Sequence, residues 1–334
     1  MKRTTRFVVY GSLAIGCLIA AGAAVVWNVS TELIAPKRRV LQDYHREWLE
    51  RPAEHGVSIQ RFTAMDGHVP CLVVMPDAAA ELSKRGETVR RQLEEKGVSL
   101  RPFGEAFANL VLLHGRNGRK EDLLPVAERF CAVGFRCVIP DLPAHGESPL
   151  KTVRFGNSDF EASIPATVLE EARARFHFPD EPAGLWGMSM GGAFLARAAP
   201  LPGAPWKALV VVCSFDSLDA VVGQKVASYT GVTAPLWSSL VAQMCVARGG
   251  VDPASVRPAK WAGTVRTPVF VAHGDADSLI TLDQGRRLFE AYASKDKAWT
   301  VVKGGDHNRI LVTEHPLYAE MAEWYLRYLR AGEK

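Results

Sequence analysis

From Asn109 onward the chain alternates short apolar runs with amphipathic stretches, and this alternation limits the possible folds more than any other feature. Leu110–Leu113, Arg136–Pro140, Ala183–Gly187, Ala208–Cys213, Val269–Ala272 and Trp299–Val302 read as strands. Glu121–Val133, Phe160–Phe176, Met190–Ala199, Thr281–Ala293 and Glu314–Leu329 read as helices between and after them. A strand that is apolar at nearly every position must be buried on both faces, and helices packed on either side achieve that. The expected fold class is therefore α/β, a mostly parallel sheet with helices on both faces. Val57–Ala64 and Val69–Met75 add an antiparallel hairpin at one edge, turning at Met65-Asp66-Gly67. Asp77–Gly97 has the charged spacing of an exposed surface helix.

Composition excludes several classes. The 334 residues allow one large domain or two ordinary ones. With 40 basic and 36 acidic residues the net charge is only +4, which gives no polybasic field for nucleic acid. Six cysteines without a C-x-x-C pair argue against a disulfide scaffold or a zinc site, and no H-E-x-x-H is present. Cys131 and Cys137 are close enough in sequence to pair, but burial as small apolar groups is the commoner outcome.

The N-terminus is unusual. Residues 1–6 are basic, and Phe7–Val29 carries no formal charge. Those 23 residues suffice for a helix across a bilayer core of about 30 Å, with Tyr10 and Trp27 near the ends. The expectation is a single-span anchor over residues 7–29, with the following domain outside the cytoplasm. The alternative is a secretory signal cleaved after Ala21-Gly22-Ala23, although Val25, Val26 and Trp27 extend the apolar run beyond it. Cys17 follows Ala-Ile-Gly, a faint lipoprotein-like pattern discounted for the same reason. Residues 30–56, with Pro36 and Pro52, read as a stalk carrying a short helix, and 57–332 as the catalytic domain.

The chemistry centres on Gly187-Met188-Ser189-Met190-Gly191-Gly192. It follows a strand-like stretch and opens a small-residue helix, the strand–turn–helix context of a nucleophile elbow. The glycines suit a turn too sharp for side chains, and the helix N-terminus directs N–H groups at the reaction centre. A serine hydroxyl is a weak nucleophile that needs a base, and the base needs an orienting acid. His307, in Gly304-Gly305-Asp306-His307 after a strand, fits the base. For the acid, Asp277 lies deeper in the loop after Val269–Ala272 and precedes apolar Leu279-Ile280. Asp275 in the same loop better suits shaping the turn, and Asp216 is a third candidate.

Ser, Asp and His in that order, each after its own strand, give the chain its resemblance to the α/β-hydrolase superfamily. It is most like the compact serine hydrolases and peptidase-like members that carry a His-Gly oxyanion strand and an HGDxD acid loop. The resemblance covers Val57 to Arg330. It rests on Asp66-Gly67, Leu112-Leu113-His114-Gly115, Asp141-Leu142-Pro143-Ala144-His145-Gly146-Glu147-Ser148, the GMSMGG elbow, HGDAD and Gly305-Asp306-His307. It implies an eight-stranded α/β-hydrolase fold with Ser189 as nucleophile, Asp277 as acid and His307 as base. It implies an oxyanion hole from the backbone N–H groups of Met190 and Arg116, with Asn117 as an alternative to Arg116, and no cofactor. His114 and His145 become loop-supporting histidines. Residues 214–267 would form a small helical cap, whose Trp237 and Met244, with His114 and Met188, would border an apolar substrate pocket.

The expected function is a membrane-anchored serine esterase acting on a small-molecule or lipid ester. A serine peptidase of the aminopeptidase or oligopeptidase type is the alternative, weakened because the space before Val57 is too short for a propeller domain. A catalytically silent binding protein is the third reading, and the intact Ser189, Asp277 and His307 count against it.

Overall fold

The computed structural model describes the backbone of residues 2–330, and all their side chains except those of 2–9, 11, 12, 14, 15 and 18. Two helices come first, α1 (Lys2–Ile34) and α2 (Asp43–Glu50). The hairpin β1 (Val57–Ala64) and β2 (Val69–Pro76) follows, with α3 (Lys84–Glu95) after it. The alternating part runs β3 (Ala108–Leu113), α4 (Leu124–Cys131), β4 (Phe135–Pro140), α5 (Asp159–Phe176), β5 (Ala183–Met188), α6 (Met190–Ala198) and β6 (Trp206–Val212). Then come α7 (Leu218–Thr230), α8 (Ala234–Ala247), α9 (Pro258–Ala262), β7 (Val269–Gly274), α10 (Leu282–Ala291), β8 (Lys297–Val302) and α11 (Leu317–Leu329).

The strands form one eight-stranded sheet in the order β1-β2-β4-β3-β5-β6-β7-β8. The pairs β1–β2 and β2–β4 are antiparallel and the rest are parallel. Strand periodicity divides the core in two. Leu110, Leu112, Trp186 and Val210 face one layer with Phe130 and Tyr325, while Val111, Leu113, Leu185 and Val211 face the other with Ile164 and Phe194. This is the architecture the alternation predicts. The parallel strands carry every catalytic candidate to one edge of the sheet, because loops at their carboxyl ends all open on the same side.

Several boundaries differ from expectation for local reasons. The Asp77 side chain accepts the Ala79 N–H at 3.0 Å, which turns the chain and delays α3 until Ser83 caps it by accepting from Gly86 at 3.1 Å. That helix also buries Val89 and Leu93, so it belongs to the core layer rather than the surface alone. The stretch beginning at Glu121 opens as a 3-10 turn, with α4 starting only at Leu124. All six cysteines are free, and Cys131 and Cys137 are buried without pairing.

Among the described residues, no helix is long and apolar enough to cross a membrane. The expected span over residues 7–29 finds no support there, and its residues 7–9, 11, 12, 14, 15 and 18 have side chains outside the described set. The helix runs unbroken past residue 29 to Ile34, and its last turns are committed to the protein body. At Gly22 the Trp237 ring lies so close that a Cβ would meet it at 1.9 Å, and Val26, Val29, Leu33 and Ile34 are buried in the main core. The following residues lie along the body: Arg38 donates to the Leu150 carbonyl at 2.9 Å, and His45 Nε2 pairs with Asp122 at 2.9 Å.

The loop after β4 holds a titration device. His145 is buried, its Nδ1 lies 2.8 Å from the Pro143 carbonyl, and Nε2 has no partner. Burial, then the neighbouring His114, pushes its pKa down from 6.5 to about 3. The unfolded chain therefore takes up a proton near pH 6.5 that the folded chain refuses. The stabilisation is present above that pH and is lost as pH falls towards the folded value, at about 1.4 kcal/mol per pH unit. Urea unfolding at pH 6.5, 5.5 and 4.5 should show the His145→Asn slope shallower than that of wild type by one proton's worth, the other histidines contributing equally to both.

Candidate active site

Ser189 sits between β5 and α6 with φ 54° and ψ −116°, a strained conformation for a residue with a side chain. The glycines around it are steric requirements. A Cβ at Gly187 would lie 2.3 Å from the Gly191 carbonyl oxygen, one at Gly191 2.1 Å from that of Leu113, and one at Gly192 2.6 Å from Ser214 Cβ. The bend is pinned from β6: Ser189 N–H donates to the Val212 carbonyl at 2.9 Å, and Ser214 Oγ donates to the Ser189 carbonyl at 2.8 Å. The hydroxyl is thus held at the head of α6, where the first N–H groups of a helix lack intrahelical partners.

Asp277 and His307 arrive on the loops after β7 and β8. Those loops touch backbone to backbone, since a Cβ at Gly274 would sit 1.9 Å from the Gly305 carbonyl oxygen. Asp277 Oδ1 accepts the N–H groups of Leu279 and Ile280 at 3.0 and 2.9 Å, which aims Oδ2 at His307 Nδ1, 2.7 Å away. His307 Nε2 lies 3.0 Å from Ser189 Oγ. Three side chains far apart in sequence therefore form one hydrogen-bonded line. Burial alone would raise the Asp277 pKa, but the His307 bond and the Ile280 N–H outweigh it and hold the carboxyl below its ordinary value.

The competing acids have other duties. Asp275 Oδ1 accepts the Gly304 N–H at 2.6 Å and shapes the turn leading to His307. Asp216 pairs with Arg287 at 2.7 Å.

His114 is committed to the scaffold: its Nε2 accepts the Leu142 N–H at 3.0 Å and its Nδ1 lies 2.8 Å from the Gly115 carbonyl. Gly115 is packed against the nucleophile, where a Cβ would meet Ser189 Cβ at 3.3 Å. Its carbonyl also accepts the Gly118 N–H at 3.1 Å, so the trans peptide turns the Arg116 N–H the opposite way. Met190 begins α6. The Arg116 guanidinium donates to the Glu32 carbonyl at 3.1 Å and ties this loop to the end of α1.

Met188 packs beneath the sheet edge against the core. Trp237 and Met244 line a groove against α1 rather than a pocket around Ser189. A smaller cleft of about 60 Å³ lies nearer the catalytic loops, lined by Val29, Leu33, Arg116, Val221, Val222 and Leu279 among others. Its α1 contribution escaped sequence reasoning because those residues read as anchor and stalk. Cys213 was also missed as a neighbour of the site. It has φ 46°, and its sulfur, the Asp277 carboxylate and a His307 nitrogen lie within 4.8 Å of one another. These are the only three metal-capable side chains so grouped among the described residues. Burial pushes the Cys213 thiol far up, keeping it neutral, while Asp277 and His307 are already bonded to each other. The donor set thus suits proton handling better than metal ligation.

The chain belongs to the alpha/beta hydrolase family, whose model matches residues 110–321. No curated protein matches its sequence. Among solved structures it is similar to the Pyrococcus furiosus esterase Pf2001, with 16% identity, a TM-score of 0.60, and 88% of this chain and 98% of that one covered. It is also similar to TT1662 from Thermus thermophilus, at 19% identity, TM-score 0.51, and coverage of 82% and 98%. A cold-adapted esterase from an Arctic intertidal metagenomic library aligns at 18% identity, TM-score 0.50, and coverage of 82% and 95%. These likenesses describe the fold.

Proposed function

We propose that the protein is a serine hydrolase that cleaves carboxylic esters through an acyl-enzyme. The observation that carries this reading is the line Ser189 Oγ–His307–Asp277, at 3.0 and 2.7 Å, with Ser189 on the strained bend of the elbow. His307 Nε2 takes the Ser189 proton as Oγ attacks the ester carbonyl. Asp277 holds the proton on Nδ1, so that Nε2 is the accepting nitrogen, and stabilises the imidazolium. The N–H groups of Met190 and Arg116 are the donors for the developing oxyanion. His307 then protonates the leaving alcohol, and water repeats the sequence against the acyl-enzyme.

The esterase names of the structural neighbours support an ester over a peptide substrate. The apolar lining of the cleft beside Arg116 and Leu279 supports an apolar acyl group. The test is a fluorophosphonate probe combined with a graded series of p-nitrophenyl esters and matched aminoacyl nitroanilides. Mass spectrometry should place one adduct on Ser189, and kcat/KM should favour esters. A preference for the nitroanilides would move the assignment to a peptidase. An unlabelled Ser189 with no turnover would end it.

A further inference from the structure

We propose that α1 and the α7–α8 hairpin together form a face that docks on an anionic lipid bilayer, with the hairpin lying in the headgroup layer. The inference does not depend on the hydrolase reading.

Exposed apolar side chains gather on this face. Among the described residues, nine of the fifteen large exposed apolar side chains lie on α1 or between Tyr229 and Val246. Val232, at the hairpin's tip, is 99% exposed, and Leu236, one turn into α8, is 62% exposed. Leaving such groups in water costs roughly 25 cal/mol per Å² of apolar surface that a lipid layer would cover.

Charge singles out the same two segments. α1 and the stretch from Leu218 to Arg248 carry Lys2, Arg3, Arg6, Lys225 and Arg248 against Glu32 and Asp219, a net +3. The whole chain carries +4, so everything outside these segments sums to +1. Most of the chain's excess positive charge therefore accompanies its most exposed apolar surface, the combination that favours anionic headgroups over a neutral apolar partner. Two of the cations flank aromatic rings as interfacial residues do: Lys225 lies 5.0 Å from the Tyr229 ring centre and Arg248 4.3 Å from that of Trp27.

Between α1 and α8 runs a groove of about 820 Å³, lined by Ile19, Ala23, Trp27, Trp237, Leu240 and Met244 among others. Its lining is almost wholly apolar, which suits a lipid acyl chain. Residues 7–21 alone could tether the chain to a bilayer while the hairpin stayed in water. Docking requires the hairpin tip to make contact as well, and that contact is what the experiment reads.

The test uses the full-length chain carrying Cys17→Ser and Val232→Cys, the other five cysteines being buried. An environment-sensitive thiol fluorophore is attached at position 232. Vesicles of phosphatidylcholine, with and without about one-third phosphatidylglycerol, are added and floated. The expected result is co-flotation with the anionic vesicles, a blue-shifted probe and protection from aqueous iodide. The same label on Val312→Cys, an exposed site outside the face, should not respond. Lys225→Gln should weaken vesicle affinity roughly fivefold, and raised salt should do the same. Co-flotation with an unchanged probe at 232 would overturn the proposal, because residues 7–21 would then be the whole attachment. So would failure to float, or a blue shift that grows with protein concentration without vesicles, which would assign the face to a second copy.

Discussion

Ser189→Ala should lower kcat on any accepted ester by about 10⁶-fold, judged from nucleophile removal in unrelated serine hydrolases, while the protein stays folded. The size of the loss follows from what the hydroxyl does. In the proposed mechanism it is the group that becomes covalently attached to the acyl carbon, and its proton is the one that His307 Nε2, 3.0 Å away, is placed to take in acylation. What remains is ground-state binding and the oxyanion donors acting on direct attack by water, worth about 10³–10⁴ over the uncatalysed rate. The fold survives because the bonds that hold the bend are made by the backbone. The Ser189 N–H and carbonyl are held by Val212 and Ser214, and neither contact involves Oγ. Alanine meets the same positive φ with the same Cβ. The thermal midpoint should therefore stay close to wild type while fluorophosphonate labelling disappears. A variant retaining a tenth of wild-type turnover would remove Ser189 from the mechanism.

What could be read from the sequence was decided by short-range geometry. The hairpin over Val57–Ala64 and Val69–Met75 is legible because Met65 and Asp66 take the left-handed backbone beside Gly67, and its register closes Ala64 against Val69. The elbow is legible because three glycines are sterically required there: a Cβ added at any of them would clash with a neighbour at 2.1 to 2.6 Å. His307 and Asp277 are legible because each follows a strand that runs parallel to that of Ser189 in one sheet, so all three loops open at the same edge. Choosing among the acids was harder, since Asp275, Asp277 and Asp216 all follow strands. Their separation depends on the Ile280 N–H, which is local to Asp277, and on the Gly304 N–H and Arg287, which arrive from distant parts of the chain.

The parts that could not be read are those set by tertiary packing. Phe7–Val29 carries no formal charge, and an uncharged, mostly apolar run does not say which residues meet lipid, solvent or protein. The structure commits Val26, Val29 and Leu33 to the core and brings Glu32 to Arg116. Trp237 and Met244 look like pocket residues by type, yet α1 occupies the space they face. A helix read as an anchor is thus also a wall of the cleft beside Arg116 and Leu279. Cys213 carried no signal, because its backbone conformation and its approach to Asp277 arise where β6 and β7 end together.

Asp277→Asn should reduce kcat by about 10⁴-fold with little change in KM, and the reason lies in which atom of the side chain is already occupied. Oδ1 accepts two backbone N–H groups, from Leu279 and Ile280. An amide nitrogen cannot accept, so asparagine must keep its oxygen there and turn its NH₂ towards His307 Nδ1. That nitrogen must then accept, and the ring proton moves to Nε2, where it points at Ser189 Oγ. The base now offers a donor to the hydroxyl it should deprotonate. The substitution is isosteric in a site where the Asp277 side chain is fully buried, so the fold should hold. Stability should nevertheless change with pH. The Asp277 carboxyl is depressed in the folded state, so it stabilises above its unfolded pKa and ceases to as pH falls through the folded value. The variant should lose that contribution at neutral pH and show a flatter acid limb. Asp275→Asn is the matched control, because it keeps an oxygen for the Gly304 N–H and should leave kcat within a fewfold of wild type. If Asp275→Asn proved the more damaging of the two, the acid would have been assigned to the wrong carboxylate.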